Sequence, residues 1–191
     1  MRLLAACCVV SLGCATTTAE VKPAPAPAPV APPPAAPAPP PPPTTSQRFA
    51  ALVDEVIAEK DAFQPTSAVG MGHHQYDALL EDLSRARIEK HIAAQKAQLA
   101  ALRALDRAQL TFDERIDAEA LDSALEAEVV DLDTMQSWTR NPMDYAGLPG
   151  GAIDALMKRN FAPSTKRLTL VIARLKQVPA VYEAAKANLV N

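Results

Sequence analysis

The part of this chain that can fold contains no cysteine. All three cysteines, Cys7, Cys8 and Cys14, lie within the first fourteen of 191 residues. From Ala15 onward this excludes a disulfide framework, a thiolate metal site and a cysteine nucleophile. A long apolar run is also missing. The stretch Leu3–Leu12 is too short to cross a bilayer, which takes about 20 apolar residues. Basic clusters are absent, and the net charge is −3. Removing residues 1–13 loses only Arg2, so the charge becomes −4. That balance excludes the basic footprint of a nucleic-acid binder. No stretch alternates apolar and polar residues with period two, which excludes strands. HExxH, GxSxG and the lysine-bearing phosphate loop are all missing. The glycines of "GLPGG" (147–151) lack the lysine and hydroxyl such a loop needs.

What is present begins with a leader. Arg2 precedes a short apolar centre that ends in small residues at Gly13 and Cys14. This is the layout of a secretory signal. "SLGC" (11–14) resembles the lipobox of bacterial lipoproteins, with Leu12 where a small residue is usual. The expectation is a signal peptide over 1–13, cleaved to leave Cys14 as the lipidated first residue. Its acyl chains would then hold the protein to a membrane. Ala15 after the cysteine resembles outer-membrane sorting in Gram-negative lipoproteins. Thirteen of the eighteen prolines follow, between Pro23 and Pro43. Proline fixes φ and removes a donor, so residues 14–45 are expected to form an extended Pro/Ala-rich linker. At about 3.1 Å per residue, the 21 residues from Pro23 to Pro43 reach roughly 65 Å.

Residues 46–191 read as an all-α domain of about six helices. Ser46 is placed as the first N-cap, with Phe49, Leu52, Val53, Val56, Ile57 and Phe63 on one stripe and Pro65 as terminator. Ser84 caps a second helix bearing Ile88, Ile92, Leu99, Leu102 and Leu105. "TFDE" (111–114) has capping-box spacing and opens a third, expected to run to about Trp138. Its buried candidates include Phe112, Ile116, Ala120, Leu125, Leu132 and Met135. Residues 140–151, rich in proline and glycine, are expected to form a loop. A short fourth helix spans about Ala152 to Asn160. The fifth begins at Pro163–Ser164 and turns Leu168, Val171, Ile172, Leu175 and Val178 inward, until Pro179 breaks it. The sixth carries Val181, Tyr182, Ala185 and Leu189. It is still amphipathic at Asn191, which suggests the front part of something longer.

Three histidines and many carboxylates are the candidate chemistry. His73 and His74 are adjacent, so their side chains diverge on any regular backbone, and His91 lies in another element. Zinc ligands on a helix come instead at i and i+4. The spacing therefore predicts no metal ligand and no catalytic residue. One histidine of the pair should bond a backbone group in the turn, with the other in solvent. The carboxylates of the third helix, among them Glu119, Asp122, Glu126 and Glu128, read as a solvated face rather than an acid–base pair.

Several segments carry a resemblance. "GMGHHQYDALLEDLS" (70–84), "DAEAL" (117–121), "NPMDY" (141–145), "RNFAPSTKRL" (159–168) and "ARLKQVPAVYEAAKANL" (173–189) stand in the order seen in bacterial domain-of-unknown-function family 885. The chain resembles that family over about residues 47–190. The resemblance implies a helical protein, often exported, with a later HExxH zinc-metallopeptidase-like part. None of those zinc ligands has a counterpart here, so zinc is expected only in a full-length relative. Gly72, His74, Tyr76 and Asp77 match the family signature and are expected to form a structured turn. By family analogy, Asn141, Pro142 and Tyr145 shape a loop beside the cleft.

The leading expectation is the N-terminal helical part of an exported, envelope-anchored lipoprotein. It has no catalytic machinery of its own and would partner a C-terminal catalytic part. Two other readings stay open: a stand-alone helical interaction or scaffold module on a proline stalk, and an autonomous hydrolase with a carboxylate–histidine site.

Overall fold

The computed structural model describes residues 41–190. The leader, Cys14 and the linker up to residue 40 lie outside the described residues. Every regular element described is helical, and the all-α expectation holds. Six helices have eleven or more residues, and one short helix is inserted after the first.

Helix α1 spans Thr45–Phe63. Its cap is Thr44 rather than the expected Ser46. The Thr44 hydroxyl accepts from the Gln47 amide, and the Gln47 side chain accepts from the Thr44 amide. This reciprocal pair satisfies two donors that a helix start leaves bare. Ser46 is freed to donate to Glu114 on a distant helix. Proline at 65 keeps Gln64 out of helical geometry, which stops α1 as expected. The same proline then serves as the first residue of α2, Pro65–Gly70, where its missing donor costs nothing.

Helices α3 (Arg85–Arg103) and α4 (Phe112–Val129) start where the sequence placed them, at Ser84 and Thr111. They pack with α1 around Phe49, Leu52, Val56, Leu99, Leu102, Leu110, Ala118 and Leu125. Helix α4 does not continue unbroken to Trp138. It widens into a π-helical segment at Val130–Met135 and stops at Gln136, whose φ of 49° and ψ of 47° are left-handed. A 3₁₀ turn, Ser137–Thr139, then buries Trp138, whose indole N–H donates to the Leu132 carbonyl.

The expected loop at 140–151 instead forms, from Pro142 onward, the first ten residues of a 17-residue helix, α5, Pro142–Lys158. Asn141 caps it by accepting from the Met143 amide, and Pro142 occupies the first turn. An interior proline costs about 3 kcal/mol, so Pro149 argues for a loop when read locally. The buried positions explain the outcome. Tyr145, Pro149, Ala152 and Leu156 recur at intervals of four, three and four and form one face. Burying that face, at about 1.5–3 kcal/mol per large apolar side chain, offsets the local penalty.

Helices α6 (Ser164–Leu175) and α7 (Val178–Asn188) meet at Lys176–Gln177, so Pro179 sits in the first turn of α7. Leu80, Tyr145, Ala152, Val181 and Ala185 form the core beneath α5 and α7. Several expected core residues face outward. On α6, Leu168, Ile172 and Leu175 are 56%, 46% and 49% exposed, while Val171 and Arg174 are buried. On α4, Phe112, Ile116 and Ala120 are exposed, as are Ile57, Met135 and Tyr182 elsewhere. Amphipathic periodicity identified an apolar stripe on each helix. It did not identify which edge of that stripe finds a neighbour.

Candidate functional site

The signature turn is built from α2 outward. Gly72 adopts a φ of 99°, open to glycine and strained for other residues, and reverses the chain after Met71. His73 Nδ1 then reaches Asp61 near the end of α1. His74 turns the other way. Its Nδ1 lies 3.1 Å from Asp77 Oδ1, and its ring stacks on Phe161 with centroids 4.8 Å apart. Both imidazoles therefore bond carboxylates, where the sequence suggested a backbone group and solvent. Tyr76 is half-buried against Val69, Leu156 and Val171, and Asp77 is buried.

The extended segment after the turn is clamped by the C-terminal helices. Gln177 accepts from the Leu80 amide and donates to the Ala78 carbonyl. Asn188 donates to the Leu83 carbonyl and to Tyr145 Oη. Glu81 accepts from both the amide and the hydroxyl of Thr66. Close by, Arg174 is fully buried and donates through Nη1 to the Ala152 carbonyl. Its Nε and Nη2 have no hydrogen-bond partner, and neither does Glu81 Oε2. Burial pushes the Arg174 guanidinium below its ordinary range, while Glu81 and Asp77 pull the other way.

Asn141, Pro142 and Tyr145 open a helix rather than line a loop. Asn141 Nδ2 donates to Asp144 Oδ1 at 2.7 Å, so the capping residue also orients the next carboxylate. Tyr145 Oη donates to the Trp138 carbonyl at 2.7 Å. Burial raises the phenol, with the Asn188 hydrogen bond acting against it. Asp144, Glu81, Thr66 and Phe63 share a surface depression of about 270 Å³. Segments far apart in sequence thus converge there: the end of α1, the start of α2, the clamped segment and the first turn of α5.

A second polar centre went unseen in the sequence. His91 is completely buried in α3, with Nδ1 2.9 Å from Glu59 Oε1 and Nε2 3.3 Å from Glu128 Oε1. Arg87 Nη1 donates to Glu59 at 2.8 Å and Lys60 Nζ to Glu128 at 3.0 Å. The Gln95 amide lies 2.9 Å from His91 Nε2, and Phe63 covers the ring face. Burial pushes the Glu128 carboxyl up, but hydrogen bonds from His91, Gln95 and Lys60 outweigh it and leave it at about 2. Glu59 is also lowered: burial raises it, and His91 and Arg87 more than reverse this. A signal was available, since His91 and Gln95 share the apolar face of Ile88, Ile92, Leu99 and Leu102. Polar residues on a buried face require partners. Glu128 is therefore turned inward rather than solvated. Asp122 is not free either, because it binds Arg103 and Arg107.

Neither centre suits zinc. The two carboxylates engage opposite nitrogens of His91 and cannot converge on one ion. His73 and His74 each face a different aspartate. Among the described residues no three His, Cys, Asp or Glu side chains form a metal-binding group. The His91 ring, sealed by Phe63, offers no room for a substrate.

These features define an all-helical module whose polar clusters tie helices together. The family model for a bacterial protein of unknown function, DUF885, matches residues 65–191, and the chain belongs to that family. A solved structure of a candidate lipoprotein of unknown function from Shewanella oneidensis is similar at 33% identity, with a TM-score of 0.66. The similarity covers 77% of this chain and 26% of that one, so the chain spans about a quarter of its neighbour's length. No curated protein matches the chain.

Proposed function

We propose that this chain is the N-terminal helical part of an exported, lipid-anchored envelope protein. In this reading its hydrolytic chemistry, zinc-dependent and peptidase-like, belongs to a C-terminal part that the described residues do not include. The observation that carries the reading is the asymmetry of the match. Most of this chain is similar to a quarter of a candidate lipoprotein, and among this chain's described residues no three His, Cys, Asp or Glu side chains form a metal-binding group. The lipobox-like "SLGC" supports the anchor at Cys14. The proline tract supplies the stalk that carries the helices away from the membrane.

The role assigned to the helices is to wall one side of the substrate cleft. The depression holding Glu81 and Asp144 is the candidate stretch of that wall. Asn141 fixes Asp144 there, and Thr66 of α2 holds Glu81. The test has two parts. Labelling cells with tagged palmitate should tag the wild-type chain and leave Cys14→Ser untagged and released from membranes; equal labelling of both overturns the anchor. In a full-length relative, Asn141→Ala should reduce peptidase turnover, and unchanged activity removes the cleft-wall role. Reading the coding DNA past Asn191 separates this proposal from a stand-alone scaffold. A downstream HExxH supports the former, and a stop followed by an unrelated gene the latter.

A further inference from the structure

We draw no further inference here: the strongest candidate, the depression between α1, α2 and α5 that holds Glu81 and Asp144, belongs to the site already described, and its unpartnered oxygen, Glu81 Oε2, is sealed from solvent and does not face the hollow, so the two carboxylates carry no second sign of a ligand.

Discussion

His91 lies flat against Phe63, with ring centroids 3.7 Å apart and planes within 11° of parallel. The stack seals the imidazole that links Glu59 on α1 to Glu128 on α4, and the Arg87 guanidinium lies 5.1 Å from the centroid of the same phenyl ring. One side chain of α3 thus fastens three helices. His91→Leu keeps about the same volume and an apolar contact with Phe63 but leaves both carboxylates without their shared donor. Removing one partner of a fully buried pair costs about 3–5 kcal/mol. Glu59 and Glu128 keep some access to water, so about 2–3 kcal/mol is expected here. Urea denaturation followed by circular dichroism should show this as a lower midpoint with an unchanged slope.

The same centre sets an acid limit. Glu128 titrates at about 2 in the folded chain against 4.5 ordinarily, and Glu59 is lowered too. A folded-state pKa below the unfolded one means that the unfolded chain takes up protons first. The stabilisation is therefore complete above about pH 5 and is lost as pH falls through 4 toward 2. For Glu128 it amounts to about 3 kcal/mol at most. Thermal melts from pH 6 to about pH 2.5 should fall steeply. Glu128→Gln should begin lower and fall less. A parallel decline in both would mean that other carboxylates carry the acid response.

Arg174 poses the opposite problem, a buried cation with two nitrogens unbonded and carboxylates nearby. Arg174→Met removes a costly burial but also the nearby positive charge that attracts Glu81 and Asp77, which keep Thr66 and His74 as hydrogen-bond partners. The lost attraction and the lost hydrogen bond to the Ala152 carbonyl should dominate, giving a loss of about 1–3 kcal/mol. Glu81→Gln in the same chain removes one of the two carboxylate charges and should recover part of the loss. A double-mutant cycle by chemical denaturation reads the coupling directly. Additive effects would show that Arg174 and Glu81 do not interact.

Helix starts were legible in the sequence because capping is local. Ser84 and the Thr111–Glu114 box needed only four residues each to declare themselves. Thr44 beat Ser46 because glutamine three residues later completes a box that Ser46 lacks. The 140–151 segment was misread because proline and glycine penalties are local, whereas the face that overrides them spans about three turns and packs on α6 and α7. The turn at 70–77 could be located from its glycines, but its histidine partners could not. Asp61 and Phe161 lie 12 and 87 positions from the histidines they meet. The His91 centre joins residues on three helices, and no single window contains it. The exposed ridge of α6 follows from the same physics: period 3.6 reports an amphipathic helix and is silent on which partner covers it.

Two glycines in the signature region separate backbone strain from packing. Gly72 has a φ of 99°, and a Cβ added there would meet nothing within 4 Å. Any cost of Gly72→Ala is then conformational, about 1–2 kcal/mol for placing a Cβ in that region. Gly70 ends α2, shows no such φ, and would also place its Cβ in open space. There an alanine should be neutral or stabilising by up to about 1 kcal/mol, because it narrows the unfolded ensemble and favours the helix. Melting temperatures of the two variants should move in opposite directions. If Gly72→Ala melts with the wild type, the turn tolerates another path, and His74 and Asp77 need not be held by it. If Gly72→Ala also breaks the His74–Phe161 stack, ring-current shifts of the Phe161 resonances will collapse, which ties the signature glycine to the placement of the signature histidine.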